Sequence, residues 1–443
     1  MTGDQGLPLL SRGTRPKPPI RMVHLGLGAF HRSHQAWYTQ HAGDAGEWGI
    51  AAFTGRRPDA ADVLAEQDGV FTVVERSGGG DSFEVVGSIV EAVDGADVGR
   101  LTELVAAPTT AVITLTITES AYAADIAGSA EGSTPLARLV TALAARRDAE
   151  SGPIAVVSCD NLAENGDVAR QAVGSLARAK DGGLAAWIDA NVSFVSTSVD
   201  RITPRTTQAD LDVVAASCGY RDQAVVVTEP FHNWILSGNF PAGRPQWEDA
   251  GAMFVDHIEP FENRKLWLLN GSHSILAYAG LLRGHSTVAE ALADDLCLDA
   301  VEAFWDEAAR HLSDDALDIP AYREALLERF GNSRIAHHLT QIAMDGTTKL
   351  RMRALPVLAA ERAAGRSGDG AARMIAAWLA YVSSTAELHD PLAAEIQDAK
   401  SLDGEHRTAV LLELISTDLA NDAAAVSQIH GQLDSFAATT SHA

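Results

Sequence analysis

The sequence predicts an α/β protein, with a mostly parallel sheet wound on both faces over residues 20–254 and a mostly α-helical domain over residues 255–443. Three observations lead there. Apolar runs of strand length alternate with helical patterns through the first part of the chain. The first of these runs, "IRMVHLGLG", ends in closely spaced glycines. From "PFENRKLWLL" onward, strand patterns nearly vanish and helical ones take over.

Taken in order, residues 1–19 are polar and rich in Pro and Gly, which predicts a flexible lead-in. "IRMVHL" reads as a buried strand, and "FHRSHQAWYTQHA" as the helix after the glycine turn. "GIAAFTG" is a second strand; "VFTVVER" and "SFEVVGSIVEAV" alternate like strands of an inserted or antiparallel section. "TAVITLTIT" and "PIAVVSCDN" are further buried strands, separated by a helix at "TPLARLVTALAARRDAE". "NVSFVSTSVDRIT" and "QAVVVTEPF" complete the strands. Beyond residue 255 the helical stretches are "ALADDLCLDAVEAFWDEAARHL", "PAYREALLERF", "GAARMIAAWLAYVSST" and "RTAVLLELISTDLANDAAAVSQIHGQL", with "AAERAAGRSGDGAAR" as a loop.

Composition narrows the class. A chain of 443 residues, 46% hydrophobic and 21% charged, supports two or three domains with ample core. A net charge of −25 argues against a nucleic-acid partner, which calls for a basic footprint. Cys159, Cys218 and Cys297 are too few and too scattered for a disulfide framework or a cysteine-rich zinc site. No charged start leads into an apolar stretch and no run is long enough to span a bilayer, so a cytoplasmic protein without a membrane partner is expected. Nothing in the sequence specifies an oligomeric state.

Gly26 and Gly28 hold the first two positions of a G-x-G-x-x-G fingerprint, and His31 stands in the third. Their physical job is a tight turn and close backbone approach to a pyrophosphate at a helix N-terminus. His31 in the third place implies wider helix–strand packing or a side chain turned toward the ligand. His31 and His34 also share a helix face, but no acidic or cysteine ligand stands nearby, so no metal is expected.

"ENRKLWLLNGSH" is an amphipathic helix apart from its polar members. On a continuous α-helix Glu262, Lys265, Asn270 and His273 fall within about 140° of one another. The apolar Leu266, Trp267, Leu268 and Leu269 lie between them. Burial disfavours an ammonium, and a neutral amine suits a general base. The alternative is that Lys265 is a surface residue paired with Glu262.

Six stretches, in order, carry a resemblance: "GLGAFHRSHQAWYT", "LTITESAY" (115–122), "VVSCDNLAENG" (156–166), "VDRITPRT" (199–206), "PFENRKLWLLNGSHS" (260–274) and "MDGTTKL" (344–350). Together they resemble the mannitol dehydrogenase family, the long-chain polyol-specific dehydrogenases and hexuronate reductases, over nearly the whole chain. The resemblance implies a Rossmann-type N-terminal domain with a helical C-terminal domain and a metal-independent reaction. It implies that the FHRxHQ form of the loop (Gly26, Gly28, Phe30, His31, Arg32) cradles the cofactor. It gives Lys265 the role of base, Asn161 and Asn270 those of oxyanion donors, and His273 that of orienting substrate. Asp200 and Glu262 would relay the proton, and Lys349 would contact a distal substrate oxygen. On the residues alone, Asp200 reads equally as a partner of Arg201 or a cap. Asn161 and Asn165 read as loop chemistry, with Asn165-Gly166 a turn.

Two departures leave the substrate open. Gln341 stands where some mannitol-oxidising members carry a substrate-binding arginine, and "WILSGNF" lacks the acidic pair often seen after the tryptophan. The second strand is followed by "FTGRRPDAAD", with Arg56 and Arg57 before Asp59 and Asp62. An acid there reads the ribose hydroxyls of NAD, whereas an arginine can receive the 2′-phosphate of NADP. The expectation is NAD, with the arginines keeping NADP open. The expected reaction interconverts a polyol and its ketose, mannitol and fructose first. The alternatives are a hexuronate reductase (fructuronate/mannonate or tagaturonate/altronate), its carboxylate held by Arg353, Arg362 or Lys349, and a mannitol 1-phosphate dehydrogenase. A silent nucleotide-binding scaffold is the rival from another class; it has no reason to keep Lys265, Asn270, His273 and Asn161 together.

Overall fold

Every residue of the apolar run "GIAAF" is buried, as a parallel strand covered on both faces requires. The strands are β1 Ile20–Leu25, β2 Gly49–Phe53, β3 Phe71–Ser77, β4 Gly80–Val86, β5 Ile89–Val93, β6 Val112–Leu115, β7 Ile154–Ser158, β8 Val192–Asp200, β9 Val226–Thr228, β10 Asn233–Ser237 and β11 Met253–Phe254. This computed structural model describes residues 6–122 and 134–436. The chain forms two units, Met1–Glu259 and Pro260–Ala443.

In the first unit eight strands form one sheet in the order β11-β10-β8-β7-β6-β1-β2-β5. The run from β5 to β8 is parallel throughout, and β10 closes it antiparallel against β8. Reading out from β1, the order reverses between β2 and β6, the doubly wound pattern that opens a crevice at the strands' carboxyl ends. Alternate residues of β1 feed two cores. Val23 and Leu25 join Leu101, Leu139, Leu143 and Val173. Met22 joins Trp37, Tyr38, Trp234 and Trp247 on the other face.

Three sequence expectations need correction in this unit. The strand in "QAVVVTEPF", β9, leaves the main sheet and pairs with β3 in a small sheet ordered β4-β3-β9. The helix after the glycine turn is two, Ala29–Ser33 and Gln35–His41, broken at His34 (φ −117°, ψ −88°). The lead-in is tied down over its described part: Leu9 bridges to Arg221. Arg12 donates to the carbonyls of Asp68, Gly87 and Ile89 at 3.0, 2.9 and 2.6 Å. A buried guanidinium with those acceptors holds chain that composition alone reads as loose.

The second unit is built of helices, with only an isolated bridge between Thr287 and His338 among its described residues. Its central helix, Ser272–Leu282, is buried from Ser272 through Gly280. The helices Asp295–Ala309 and Asp369–Ser384 pack against it and bring Phe304, Trp305 and Trp378 into the core. The predicted loop "AAERAAGRSGDGAAR" is mostly helix, since Leu355–Ala363 and Asp369–Ser384 enter it from either side. Alanine-rich composition favours helix wherever one face is covered. Among the described residues no helix is long and apolar enough to cross a membrane.

Candidate active site

The glycine turn follows β1 directly. Gly26 has φ +111°, and a Cβ there would lie 2.0 Å from the Thr116 carbonyl oxygen, so only glycine fits. Its N–H and that of Leu27 both donate to the Phe53 carbonyl, at 2.9 and 2.8 Å. At Gly28 a Cβ would meet only the Gly26 carbonyl, at 3.6 Å, so the backbone that opens the helix Ala29–Ser33 is approachable. This cradle suits a dinucleotide pyrophosphate.

The side chains after it turn inward. His31 is fully buried and stacks on His24. Arg32 donates to the Ala224 and Gly28 carbonyls, and burial lowers its pKa to about 10. Phe30 stacks on His34 at 4.9 Å. The side chains of His31 and Arg32 are thus engaged within the protein, beside a backbone turn that stays approachable at Gly28. His34 contacts the Asn233 carbonyl at 3.1 Å, and burial pushes its pKa down to about 3.

Asn161 and Asp200 emerge from the same carboxyl edge, Asn161 just past β7 and Asp200 as the last residue of β8. Arg201, next to Asp200 in the sequence, is buried. It pairs with Glu75 and donates to the carbonyls of Ser33 and Glu229 at 2.6 and 3.1 Å. Asn165 is a buried staple, its amide bonded to the Asp160 and Thr197 carbonyls and to the Thr197 N–H within 2.8 Å. Asn165-Gly166 opens the helix Asn165–Lys180 and is not a free turn.

A network that sequence reading missed braces this edge. Asp160 accepts from the Tyr122 hydroxyl at 2.6 Å and from the N–H groups of Thr118 and Ile117 at 2.8 and 3.2 Å. Burial raises the Asp160 pKa, against the lowering by those donors. Thr118, at φ +74°, holds a left-handed backbone that a β-branched residue rarely adopts. The "TES" context gave no signal of it.

The second unit carries Lys265, Asn270 and His273, and the helix is not the continuous α-helix expected. Residues Lys265–Gly271 form a π-helical segment between Glu259–Arg264 and Ser272–Leu282. Such wide turns are rare and concentrate at functional sites. Bonding from i to i+5 draws residues five apart, here Lys265 and Asn270, toward one face. Side chains tie down the segment's carbonyls: Ser272 Oγ and Trp305 Nε1 both donate to Leu268, at 2.5 and 2.9 Å. Arg353 donates to Asn270 at 3.0 Å.

His273 is buried beside Phe330 and His337, ring centroids 4.9 and 4.8 Å away. Burial, then His337, Arg329, Arg353 and Lys349, push its pKa well below 6.5, so the ring is neutral. Its Nε2 has no hydrogen-bond partner among the described residues. A buried polar atom of that kind fits a ligand hydroxyl.

Lys349 and Arg353 lie one turn apart on the helix Gly346–Arg353. Burial lowers the pKa of both, that of Arg353 to about 10. Lys349 donates to the Ile342 carbonyl at 2.9 Å. Of the three cations considered for a carboxylate, Arg362 pairs with Asp422 at 2.6 Å, whereas Arg353 and Lys349 each donate to a backbone carbonyl, of Asn270 and Ile342, and form no ion pair among the described residues. Gln341 is exposed.

At the tip of β2, Thr54 is buried and accepts from the Gly95 N–H at 2.9 Å. Arg56 and Arg57 are exposed, and Arg57 pairs with Asp59 at 3.4 Å.

Comparison with known proteins agrees with this anatomy. The model of the mannitol dehydrogenase Rossmann domain matches residues 20–249 and that of the mannitol dehydrogenase C-terminal domain residues 257–437. D-mannonate oxidoreductase of Escherichia coli is 38% identical over 428 residues, covering 89% of this chain and 88% of its own. The solved ternary complex of Pseudomonas fluorescens mannitol 2-dehydrogenase with NAD and D-mannitol is 32% identical, with a TM-score of 0.78 over 97% of this chain and 94% of that one. A substrate-free D-sorbitol dehydrogenase structure is 25% identical, with a TM-score of 0.88 over 98% of this chain and 100% of that one. By both domain models and by full-length identity, this chain belongs to the mannitol dehydrogenase family.

Proposed function

We propose that the chain is an NAD-dependent dehydrogenase of a secondary alcohol in an acyclic polyol, with mannitol and fructose as the first pair to test. The observation that carries this is the orphaned, buried Nε2 of neutral His273, on the same helical run as Lys265 and Asn270. The glycine cradle at Gly26 and Gly28 fits a dinucleotide, and the pyrophosphate would rest on the backbone there. Bound NAD supplies the acceptor for the hydride that leaves the carbinol carbon.

In this reading Lys265, as the amine, takes the hydroxyl proton. Asn161 and Asn270 donate to the oxygen as it becomes an alkoxide, and being amides they do so without titrating. Asp200 and Glu262 carry the proton onward. His273 orients a neighbouring hydroxyl, and Lys349 holds a distal oxygen. Because the base is an amine and the oxyanion donors are amides, no Lewis acid is required.

A second reading, a sugar acid as substrate, is favoured by the positive surroundings of His273: Lys349, Arg353 and Arg329 all bear on it in a chain of net charge −25. Relatives named for mannonate and for mannitol support the two readings alike. The test is a substrate panel of mannitol, arabinitol, sorbitol, mannonate, altronate and mannitol 1-phosphate, with NAD and NADP, followed at the nicotinamide absorbance. Turnover of mannitol above mannonate supports the first reading, and the reverse order the second. Cofactor binding without turnover of any member would leave a silent scaffold.

A further inference from the structure

The wide turn that carries Lys265 and Asn270 is held from outside. Where a helix passes from i+5 back to i+4 bonding, carbonyls at the exit fall out of line with the amide ladder. Arg353, four residues after Lys349 and on a separate helix, reaches that exit with one nitrogen. Its Nη1 donates to the Asn270 carbonyl and to Ser274 Oγ, both at 3.0 Å. The guanidinium forms no ion pair among the described residues, so a carboxylate does not fix its place. Its planar fork instead bridges the last turn of the π segment and the first turn of the α-helix that follows. Trp305 and Ser272 likewise hold the carbonyl of Leu268, two residues back.

We infer that Arg353 is a positioning residue: by clamping the Asn270 backbone it sets the direction of the Asn270 carboxamide relative to Lys265. The inference rests on the reading of Asn270 as an oxyanion donor given above. The amide nitrogen has to meet a particular oxygen to within a fraction of an ångström, and a misplacement near 1 Å can lower a rate about 10²-fold. A side chain hung on an unclamped wide turn has no such precision. Arginine suits the task better than lysine because its rigid plane fixes the directions of both N–H bonds.

A double-mutant cycle on the full chain tests this, with R353M, N270A and R353M/N270A assayed for kcat and for KM of polyol and NAD. R353M is expected to lower kcat about 10- to 100-fold with the KM for NAD unchanged, and to lower it no further in the N270A background. An additive loss in the double variant overturns the inference. So does a loss confined to the substrate KM, which would make Arg353 a grip on substrate. Full activity in N270A would remove the reading of Asn270 itself and the inference with it, a failure distinct from the other two. Should R353M not fold, R353K takes its place in the same cycle, since an ammonium keeps the charge and loses the planar bridge. Partial recovery of R353A by added guanidinium, with no such recovery of N270A, is the matching positive sign.

Discussion

The imidazole rings of His24 and His31 lie face to face inside the N-terminal unit, centroids 3.3 Å apart and planes 8° from parallel. Both are fully buried. His24 is anchored at each nitrogen, Nδ1 to Thr114 Oγ1 at 2.8 Å and Nε2 to Thr116 Oγ1 at 3.1 Å. His31 has no hydrogen-bond partner among the described residues at either nitrogen. The pair fills the place where a smaller third residue would let helix and strand close up, and it does so as two neutral rings.

That arrangement makes stability depend on pH. Burial pushes the His24 pKa down to about 3, and burial together with His24 pushes His31 well below 6.5. Both folded values lie under the ordinary one, so as pH falls the unfolded chain takes up protons first. Stability is therefore complete above about pH 6.5 and declines progressively toward pH 3, by up to about 1.4 kcal/mol per unit for each histidine. H31F removes one titrating ring. Its melting temperature is expected to fall less steeply than wild type between pH 6.5 and 5; an unchanged slope would show that His31 is not held neutral.

Cofactor choice rests on the tip of β2, where Thr54 is occupied and two exposed arginines follow. Exposed arginines paired loosely, as Arg57 is with Asp59, contribute little to binding. R56A/R57A is expected to keep NAD efficiency within about twofold of wild type, a margin set by surface charge effects of that order. Wild-type preference for NADP, lost in this variant, would reverse the assignment.

The parallel sheet was legible because strands covered on both faces must be apolar throughout, as in "GIAAF" and "IAVVS". The helical unit was legible from long periodic runs such as Asp295–Ala309. What composition could not give was anything set by distant partners. Arg12 looks like a loop arginine until three carbonyls close on it. His31 is read as a ligand group when its position is known and the direction of its side chain is not. The π segment has no signature in "KLWLLNG", because Arg353, Trp305 and Ser272 supply the donors that steady it. Arg353 itself left one trace, its spacing of four from Lys349.

The role proposed for Lys265 makes a sharp prediction. Lys265→Ala should lose several orders of magnitude in turnover, since a general base alone contributes roughly 10²–10⁴-fold. NAD affinity should hardly change, because the glycine cradle is untouched. A small primary amine in solution should restore part of the rate. Prolonged chelation should leave wild-type activity intact. Near-normal turnover in Lys265→Ala, with activity abolished in Asp200→Ala, would reassign the base.

Gly271 closes the π segment, and its missing side chain is part of how the segment is packed. A Cβ there would lie 2.5 Å from Phe304 Cε1 and 3.2 Å from Cζ. Phe304 is fully buried and sits next to Trp305, whose Nε1 holds the Leu268 carbonyl. A methyl at 271 must therefore move the ring, the wide turn, or both. G271A is expected to destabilise the chain by about 1–3 kcal/mol, the usual penalty of overpacking. It should also lower kcat, because Asn270 is carried on the displaced turn. F304L in the G271A background makes room and should return much of the stability. The contrast is Gly166 in the other unit, where a Cβ would lie 2.6 Å from the Ser196 backbone nitrogen. No trimmed side chain can relieve a backbone clash, so G166A should find no such partner. Thermal melts and kcat measured on G271A, G271A/F304L and G166A separate the cases. A G271A variant that melts and turns over like wild type would show that the π segment yields at this point, and that contact with Phe304 is not what fixes it.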